Sequence, residues 1–352
     1  MDYYLVAQLT REQVAALSAF VESSTHCHLQ QHPDWVSVSG KTLPRQYLYF
    51  WGQQGDTIKV SALVRHMRLP GLGWSLDSVE RGPVCDDAAL LIEATQRLSA
   101  MLRAWGSGSL TVNPFWTQSE AVAIEAGLVR LGFQVVERDS SPHHHSLVID
   151  LRQSEEEIFA SFRKSTRHAL RRSEQMGVVV TPARDETDVE TFWQLYQHSA
   201  RLKGLQPMER DYALRLWQRF VADPRYGRLF LARHQGELIS ADLVLRHGYR
   251  VEETYGPSRT DILPDVPKNY LCVWEAIKWA RARGCSVFDL GGYAADATPG
   301  SPLASVNDFK LGFSKTIIQL VREHQLIMRP AIHHLLTLGH RLRRELSQRK
   351  PA

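Results

Sequence analysis

Two stretches of the chain repeat the same pattern of apolar and polar residues. YLYFWGQQGDTIKVSALVRH runs from Tyr47 to His66, and RLFLARHQGELISADLVLRH runs from Arg228 to His247. Each begins with an apolar run, turns at a Gln-Gly pair followed by an acid, and ends with a second apolar run and Arg-His. Two apolar runs joined by a short polar turn predict a β-hairpin. The fold must therefore accommodate two similar hairpins that lie far apart in the sequence.

The segments around each hairpin also correspond in order. A helical pattern precedes each hairpin, in TREQVAALSAFVE and in TDVETFWQLYQHSA. A second helical pattern and then a strand follow, in LLIEATQRLSAMLRAWGSGSLTVNP and in YLCVWEAIKWARARGCSVFDLGG. Chance similarity of amphipathic segments is the weaker explanation, because the elements match in order. The chain is therefore predicted to contain two copies of one helix–hairpin–helix–strand unit.

The junction between the two copies is predicted near SLVIDLRQSEEEIFASF. Within it, Ser154 followed by Glu157 is the capping-box pattern that begins a helix. A chain of 352 residues has the length of two ordinary domains. We expect one domain over residues 1–150, a second over 151–328, and a basic amphipathic helix over 329–352.

Composition excludes several classes of protein. The four cysteines lie far apart and form no C-x-x-C pair, which disfavours a disulfide framework and a zinc knuckle. The first residues lack the pattern of a signal peptide, and no apolar run approaches the roughly 20 residues that cross a bilayer. The net charge of +4 permits an anionic partner without requiring one. We therefore expect a reduced, cytoplasmic protein.

Three consecutive histidines at 143–145 are the one pattern that suggests a metal. On a strand, only His143 and His145 would share a face, whereas a zinc site needs three or four converging ligands. A turn that leads into a strand is the favoured interpretation. We expect no metal and no other cofactor.

Several short motifs, taken in order, are similar to those of one family. They are Gln31-x-x-x-Trp35 near the N-terminus, LVIDL followed by SEEEIFASFRKSTRHALRRSEQMGVVV at the junction, and TYGPS, FDLGG and NDFKLGF in the second half. Together they resemble the FemABX family of peptidoglycan-branching aminoacyltransferases over nearly the whole chain. The resemblance implies an α/β fold of two tandem GNAT-like acyltransferase domains, each a mixed sheet with flanking helices. It does not specify the substrate, because many acyltransferases share these motifs.

A basic cluster lies just after the junction, in FRKSTRHALRRSEQMG. Five basic side chains precede its first acid: Arg163, Lys164, Arg167, Arg171 and Arg172. On a helix, Arg163, Arg167 and Arg171 would share one face. One interpretation is a solvated face neutralised by acids elsewhere. The other is a phosphate-binding surface, which suits the forked guanidinium group. The resemblance favours the second, since it implies aminoacyl-tRNA as the donor.

NDFKLGF contains the candidate catalytic residues. The resemblance places Phe309 and Lys310 beside the reacting centre, where the family's Lys is implicated in stabilising negative charge. Attack of an amine on an ester creates an oxyanion, which a fixed cation stabilises. The alternative is a surface Lys beside a core Phe. Tyr255, in TYGPS, corresponds to a substrate-pocket position of the family or else is a core aromatic of a strand.

The other substrate contacts implied by the resemblance are matched more loosely. They are Gln31, Trp35, Lys41, Arg210 and Tyr212. Family members often have a Lys within a few residues of the early Trp, where it meets the phosphates of a nucleotide-linked acceptor, whereas the first Lys after that Trp is Lys41. Some members also have an acid in the first-domain strand where this chain has Asn113, which cannot act as a general base.

The C-terminal segment RPAIHHLLTLGHRLRRELSQRK has an apolar stripe and a basic end. Pro330 suits the first turn of a helix, and apolar residues follow at helical spacing. A helix packed on the body is the favoured interpretation. A helix lying on an anionic membrane is the alternative, and it would suit a lipid-linked acceptor at the inner face of the membrane.

These patterns lead to one expected function and two alternatives. We expect an aminoacyltransferase that moves an amino acid from aminoacyl-tRNA to an amine acceptor such as a peptidoglycan precursor. The first alternative is N-acyl transfer from acyl-CoA or an acyl carrier protein, and the second is a non-catalytic tRNA- or membrane-binding module. GNAT enzymes hold the pyrophosphate of CoA on an R/Q-x-x-G-x-G/A loop at a helix N-terminus. GPSRTDILPDVPKNYLCVWE has no such pattern, which disfavours acetyl-CoA.

Overall fold

A computed structural model describes residues 1–39, 45–71, 73–136, 144–204 and 206–331. The chain divides into two compact units. Unit 1 contains Met1–Pro33, Lys41–Glu137 and Val321–Ala352, and unit 2 contains Asp34–Gly40 and Arg138–Leu320. Each unit has its own sheet and its own apolar core.

Helices and strands are numbered along the chain. The helices are α1 Arg11–Ser23, α2 Trp35–Val38, α3 Ala88–Ala104, α4 Gln118–Arg130, α5 Glu155–Ser161, α6 Lys164–Gln175, α7 Glu186–Leu202, α8 Arg210–Leu216, α9 Tyr270–Ala282 and α10 Pro302–Leu311. The strands are β1 Asp2–Val6, β2 Arg45–Gln54, β3 Thr57–Leu69, β4 Trp74–Val79, β5 Val84–Cys85, β6 Ser107–Val112, β7 Gln134–Val135, β8 His145–Asp150, β9 Val178–Pro182, β10 Gly227–His234, β11 Glu237–His247, β12 Arg250–Tyr255, β13 Val287–Gly292, β14 Thr316–Gln319 and β15 His324–Ile327. In each unit, helices flank a mixed sheet, as the predicted fold class requires.

The sheet of unit 1 has the order β1-β2-β3-β4-β6-β15-β7, with β5 beside β3. Its β2–β3 pair is the first predicted hairpin, and its turn includes Gly55 with φ of 57°, a conformation that favours glycine. Among its described strand pairs, β4 and β6 run parallel and the others run antiparallel. Helix α3 covers the sheet with buried side chains that include Leu91, Leu98 and Leu102.

The sheet of unit 2 has the corresponding order, β9-β10-β11-β12-β13-β8-β14. Its β10–β11 pair is the second predicted hairpin. Among its described strand pairs, β12 and β13 run parallel and the others run antiparallel. Helix α9 buries Val273, Ile277 and Ala280 in the core of this unit. The helix–hairpin–helix–strand unit therefore occurs twice, as the repeated pattern predicts.

Two strands lie in a different unit from the predicted domain that contains them. Strand β8, within predicted residues 1–150, pairs with β13 and β14 in unit 2. Strand β15, within predicted residues 151–328, pairs with β6 and β7 in unit 1. Each strand supplies backbone partners to a neighbour whose edge would otherwise remain open. The boundaries of the compact units therefore differ from those of the predicted domains, since residues 145–150 belong to unit 2 and residues 324–327 to unit 1.

The junction begins a helix where the sequence predicts one. Ser154 caps α5, and the hydrogen bonds of a capping box join Ser154 and Glu157 in both directions. The backbone leaves the helical conformation at Phe162, and α6 then carries the basic cluster. The predicted C-terminal helix lies outside the described residues from residue 332 onward. Among the described helices, none combines the length and apolar character needed to span a bilayer.

A β-bulge in unit 2 changes which side chains share a face of the sheet. Leu243 pairs with Tyr255 and Val244 pairs with Glu253, so Thr254 is an extra residue on β12. Successive residues of a strand point to opposite faces, and directly paired residues share a face. Glu253 and Tyr255 therefore point to opposite faces of the sheet, although their spacing alone would place them on the same face.

Candidate active site

Helix α10 holds Lys310 at the end of β13. The Asn307 side chain fastens this helix to the loop after β13, since it accepts a hydrogen bond from the Ala294 N–H at 3.2 Å and donates one to the Ala294 carbonyl at 2.7 Å. The Lys310 Nζ donates to the Gly292 carbonyl oxygen at 2.8 Å. The ammonium group is therefore held at the last residue of a central strand.

Close packing surrounds that ammonium group. Gly291 has φ of 79°, and a Cβ atom placed there would lie 3.3 Å from the Glu253 carbonyl oxygen and 3.4 Å from the Lys310 Nζ. Phe309 is partly buried, with ring centroids 5.1 Å from Tyr270 and 5.3 Å from Phe313. Phe309 therefore anchors α10 in the core, while Lys310 reaches toward β13.

Three acids lie on adjacent strands of unit 2: Asp242 on β11 and Asp289 on β13 are buried, and Glu253 on β12 is partly buried and interacts electrostatically with Lys310. Asp289 accepts hydrogen bonds from the Gly291 N–H at 2.8 Å, from the Ser146 hydroxyl, and from Arg250 at 3.3 Å. Asp242 is only 1% exposed, and neither of its carboxylate oxygens has a hydrogen-bond partner among the described residues. The buried Oε2 of Glu253 likewise has none there.

Burial changes the protonation of these acids. Burial raises the pKa of Asp242 well above its usual value, and the nearby Glu253 raises it further. Burial also raises the pKa of Glu253 to about 7, with Lys310 opposing the shift and Asp289 adding to it. The pKa of Asp289 is raised by burial, against the effect of Arg250. At neutral pH, the Asp242–Glu253 pair therefore holds at least one proton.

Two predicted substrate contacts meet on the opposite face of the sheet. The Tyr255 hydroxyl donates to the Tyr212 hydroxyl at 3.4 Å, and the Tyr255 ring meets Tyr196 edge-on with centroids 5.4 Å apart. Burial raises the pKa of Tyr255, so its hydroxyl stays protonated. Arg210 lies on the same helix as Tyr212, and its Nε donates to Glu190 at 2.6 Å.

The early predicted contacts have different surroundings. Gln31 is buried in unit 1, where its Nε2 donates to the Glu80 carbonyl at 2.6 Å and its Oε1 accepts from the Leu63 N–H at 2.8 Å. Its amide therefore ties β3 to a neighbouring turn. Trp35 belongs to unit 2, where its buried ring packs 5.6 Å from that of Phe220. Lys41 lies outside the described residues.

The basic cluster is helical, and four of its side chains have partners within unit 2. Arg163 pairs with Asp308 at 2.9 Å, and Arg172 approaches Asp265 at 3.6 Å. Arg167 donates to the Ala160 carbonyl, and Arg171 lies over the Phe159 ring. These contacts support the solvated-face interpretation. Asp308 lies on α10, two residues before Lys310 in the sequence. The Arg163–Asp308 ion pair therefore places the start of α6 beside α10.

The histidine run gives limited information. His145 begins β8 and pairs with Gln319, while His143 lies outside the described residues. The expectation of no metal stays a prediction. Asn113 has a structural partner, since its Oδ1 accepts from the Arg81 N–H at 2.8 Å.

Asp242, Glu253 and Asp289 are the functional candidates that sequence reasoning missed. Asp242 and Asp289 each lie between apolar neighbours in a strand, in SADLVL and FDLGG, whereas Glu253 lies between Glu252 and Thr254 in VEETY. An acid between apolar strand residues was the available signal for Asp242 and Asp289, because a carboxylate is rarely buried without a partner.

Comparisons with known proteins agree with the predicted family. The FemAB family model matches residues 10–225, and an acetyltransferase (GNAT) domain model matches residues 160–305. A UDP-N-acetylmuramoylpentapeptide-lysine N(6)-alanyltransferase of Weissella viridescens is 26% identical over 140 residues. That match spans 40% of this chain and 40% of the relative's length.

Solved structures show the same architecture. The crystal structure of FemX has a TM-score of 0.82 at 16% identity, and the match covers 95% of this chain and 99% of that one. A tandem GNAT protein from the clavulanic acid biosynthesis pathway has a TM-score of 0.54 at 12% identity, with 92% and 98% covered. At these identities the likeness concerns the fold, which confirms two tandem GNAT-like domains. Because the FemAB family model matches more than half of the chain, this protein belongs to the FemAB family.

Proposed function

We propose that this protein is an aminoacyltransferase that moves an amino acid from aminoacyl-tRNA to a primary amine of a peptidoglycan precursor. Membership of the FemAB family supports the reaction class, and the name of the Weissella viridescens relative supports the acceptor class. The observation that carries the proposal is the Lys310 ammonium group, which is fixed at the end of β13.

The reaction needs few groups. The acceptor amine attacks the ester carbonyl carbon, the new C–N bond forms, and the C–O bond to the tRNA ribose breaks. Negative charge develops first on the carbonyl oxygen and then on the ribose oxygen. Lys310 stabilises that charge, and Phe309 keeps α10 in position. Only an interaction that is stronger in the transition state than in the ground state raises turnover.

The two tyrosine hydroxyls and Arg210 form the proposed acceptor contacts in unit 2. Tyr255 and Tyr212 offer protonated hydroxyls, and Arg210 offers a cation for a carboxylate or phosphate. Gln31, Trp35 and Lys41 stay separate predicted substrate contacts, and the Gln31 amide is already engaged by the backbone of unit 1. We place the reaction in the cytoplasm, with peripheral contact at the inner face of the membrane where a lipid-linked acceptor would be exposed.

Helix α6 is the proposed tRNA surface. Arg163, Lys164, Arg167, Arg171 and Arg172 follow α6 from the end that adjoins α10, so a tRNA backbone on this helix would lead its 3′ end toward Lys310. The internal partners of these arginines are exposed, so phosphates can compete for them in water. An acyl-CoA donor is the second candidate, because residues 160–305 match the GNAT domain model. The connection between β12 and α9 lacks the glycine pattern that CoA would need.

A salt titration of tRNA binding tests the donor. We expect micromolar or tighter binding that weakens steeply with salt, since each phosphate contact releases counterions. The triple variant Arg163→Gln, Arg167→Gln, Arg171→Gln should flatten the log–log slope by about 2–3. The triple variant Arg11→Gln, Arg103→Gln, Arg130→Gln, at three exposed arginines of unit 1, is the control for the loss of three charges. An unchanged slope in the triple variant returns α6 to the solvated-face interpretation. Transfer from acyl-CoA but not from charged tRNA would establish the second candidate, and transfer from neither would favour a binding module.

A further inference from the structure

The carboxyl pair of Asp242 and Glu253 lies beside the proposed reacting centre and has no structural explanation so far. Three acids and two cations, Lys310 and Arg250, are grouped on neighbouring elements of unit 2. Asp289 is accounted for by its hydrogen bonds, with Arg250 among its donors. Asp242, fully buried and unpartnered among the described residues, is not. Removing an unpaired carboxyl group from water is costly, so such a group calls for a role.

The bulge at Thr254 directs Glu253 to its face of the sheet. A Cβ atom at Gly256 would lie 2.6 Å from the Glu253 Oε1, so glycine at this position leaves room for the carboxyl group. A Cβ atom at Gly291 would lie 3.3 Å from the Glu253 carbonyl oxygen and 3.4 Å from the Lys310 Nζ, so these two atoms lie close to each other. The pairing of β12 with β13 ends at Glu252 and Asp289. Glu253 and Tyr255 point to opposite faces, but both follow the end of this pairing, where the Lys310 ammonium group is also held.

The titratable and charged groups around Glu253 come from every neighbouring element. They are Asp242 on β11, Arg250 on β12, Cys272 on α9, Asp289 on β13 and Lys310 on α10. Burial raises the pKa of Cys272 to a value outside the physiological range, so the thiol stays neutral. Burial raises the pKa of Glu253 to about 7 against the effect of Lys310, so Glu253 is the carboxyl group of this set that we expect to change charge near neutrality.

We propose that Glu253 is the base that takes a proton from the acceptor's ammonium group, and that Asp242 holds the proton that keeps the pair from carrying two negative charges. The proposal rests on the aminoacyl transfer proposed above. It assigns the deprotonation of the amine, which Lys310 cannot perform as a cation and which Asn113 cannot perform as an amide.

Each proton of the acceptor ammonium group that leaves during the reaction has a defined destination. The acceptor ammonium gives one proton to the Glu253 carboxylate, directly or through one water molecule. The free amine forms the C–N bond, and Lys310 stabilises the oxyanion. As the C–O bond breaks, the second proton of the nitrogen passes to the ribose oxygen, which leaves as a hydroxyl group. Glu253 returns its proton to solvent before the next turnover.

The different surroundings of the two carboxyls explain the division of roles. Two adjacent carboxylates repel each other, so one of them keeps its proton at neutral pH. Asp242 has no hydrogen-bond partner among the described residues and the nearby Glu253 opposes its ionisation, whereas Lys310 favours the charged form of Glu253. Because its pKa is about 7, Glu253 can accept and release a proton at physiological pH.

Two amide substitutions of nearly unchanged shape test this assignment. Glu253→Gln should lower the single-turnover rate from charged tRNA by about 100-fold or more, and should remove the rise in rate that wild type shows as pH increases through about 7. Asp242→Asn imitates the protonated acid, so it should keep the rate within a few-fold and keep that rise. Glu237→Gln, at the exposed start of β11, is the matched control and should behave as wild type.

The opposite asymmetry, with Asp242→Asn inactive and Glu253→Gln active, would overturn the assignment, as would a Glu253→Gln variant that keeps the pH-dependent rise. Unchanged circular dichroism and tRNA binding establish that each variant is folded. Infrared titration of the carboxyl groups is independent of activity. A buried carboxyl signal that titrates near neutrality should be present in wild type and absent in Glu253→Gln. If wild type transfers nothing from tRNA, the proposed function fails. If wild type lacks the infrared signal, the proposal that Asp242 and Glu253 share a proton near neutral pH is wrong, whichever substrate the protein uses.

Discussion

The two units share one sheet order, but a buried acid in one, Asp77, and a buried acid in the other, Asp242, differ in their hydrogen bonding. In unit 1, the buried Asp77 on β4 is fully engaged, since its Oδ1 lies 2.7 Å from the His66 Nδ1 and its Oδ2 accepts from the Ser75 hydroxyl at 2.8 Å. In unit 2, Asp242 lies on β11, a strand of the second hairpin, and has no hydrogen-bond partner among the described residues. Two sheets of the same strand order therefore differ in their buried acids. Asp77 has its hydrogen bonds satisfied, whereas Asp242 has no partner among the described residues, which makes its ionised form unfavourable.

This difference indicates which unit carries the chemistry. A buried acid with its hydrogen bonds satisfied stabilises a sheet and specifies its register. Unsatisfied buried acids are expensive, and groups with shifted pKa values concentrate at functional sites. The proposed reacting centre around Lys310 lies in unit 2, where the costly acids are. Unit 1 would then serve as a framework. Variants in the two units test this contrast.

The largest expected effect is on turnover, from Lys310→Met. The substitution keeps the length and apolar packing of the stem but deletes the charge. We expect kcat to fall about 10²–10³-fold with near-normal tRNA binding, because the lost interaction acts mainly in the transition state. Single-turnover transfer from charged tRNA measures it. Lys310→Arg should recover little, because a planar fork differs in shape from a compact ammonium group.

Lys315→Met is the matched control, since Lys315 is an exposed lysine in the same unit. It should leave turnover unchanged. If Lys310→Met turns over within a few-fold of wild type, Lys310 is a structural residue and the catalytic asymmetry between the units disappears.

The next effect concerns the pH dependence of stability, from Glu253→Gln. The pKa of Glu253 rises from a reference of 4.5 to about 7 on folding, so ionising it opposes folding. Its cost is absent below about pH 4.5, grows as pH rises toward 7 and is complete above it, reaching on the order of 3 kcal/mol. The Gln variant should therefore gain stability relative to wild type as pH rises. Denaturant unfolding between pH 4.5 and 8 measures this difference, and a difference that does not vary with pH would show that Glu253 is not buried as a carboxyl group.

The smallest effect is expected in unit 1, from Asp77→Asn, and it has the opposite sign. His66 would lose its carboxylate partner inside a buried network, which should lower the free energy of unfolding by about 1–3 kcal/mol. Activity per folded molecule should stay unchanged. Hydrogen exchange of β3 and β4, followed by mass spectrometry, reads unit 1 separately from unit 2. Asp56→Asn, in the exposed turn between β2 and β3 of the same unit, is the control. A loss of turnover in folded Asp77→Asn would mean that unit 1 is more than a framework.

Much of the local structure follows from the sequence. Both hairpins, the helices that flank them and the capping box of Ser154 and Glu157 lie where the patterns predict them. These features depend on neighbours a few residues apart, so alternation, helical spacing and turn chemistry are sufficient to locate them. The motif that contains Asn307 and Lys310 also led to the ammonium group at the end of β13.

Only part of the candidate site could be predicted from the sequence. The basic cluster was predicted to form a helix, and it does, but its contacts with Asp308 and Asp265 join residues far apart in the sequence. The sequence likewise led to Tyr212 and Tyr255 separately. Their hydroxyl contact and the opposite direction of Glu253 depend on a single extra residue, Thr254, in the register of β11 and β12.

The sequence alone predicts the repeated unit, its helices and hairpins, and the family, because these depend on local spacing and on the order of short motifs. Only the tertiary structure decided that β8 completes the sheet of unit 2 and β15 that of unit 1. It also decided that the buried Asp242 lies near Glu253, and that Glu253 lies near Lys310. Strand pairing joins residues that can be more than a hundred positions apart, and the protonation of an acid depends on the water and charges around it. Neither quantity is a property of a short stretch of chain.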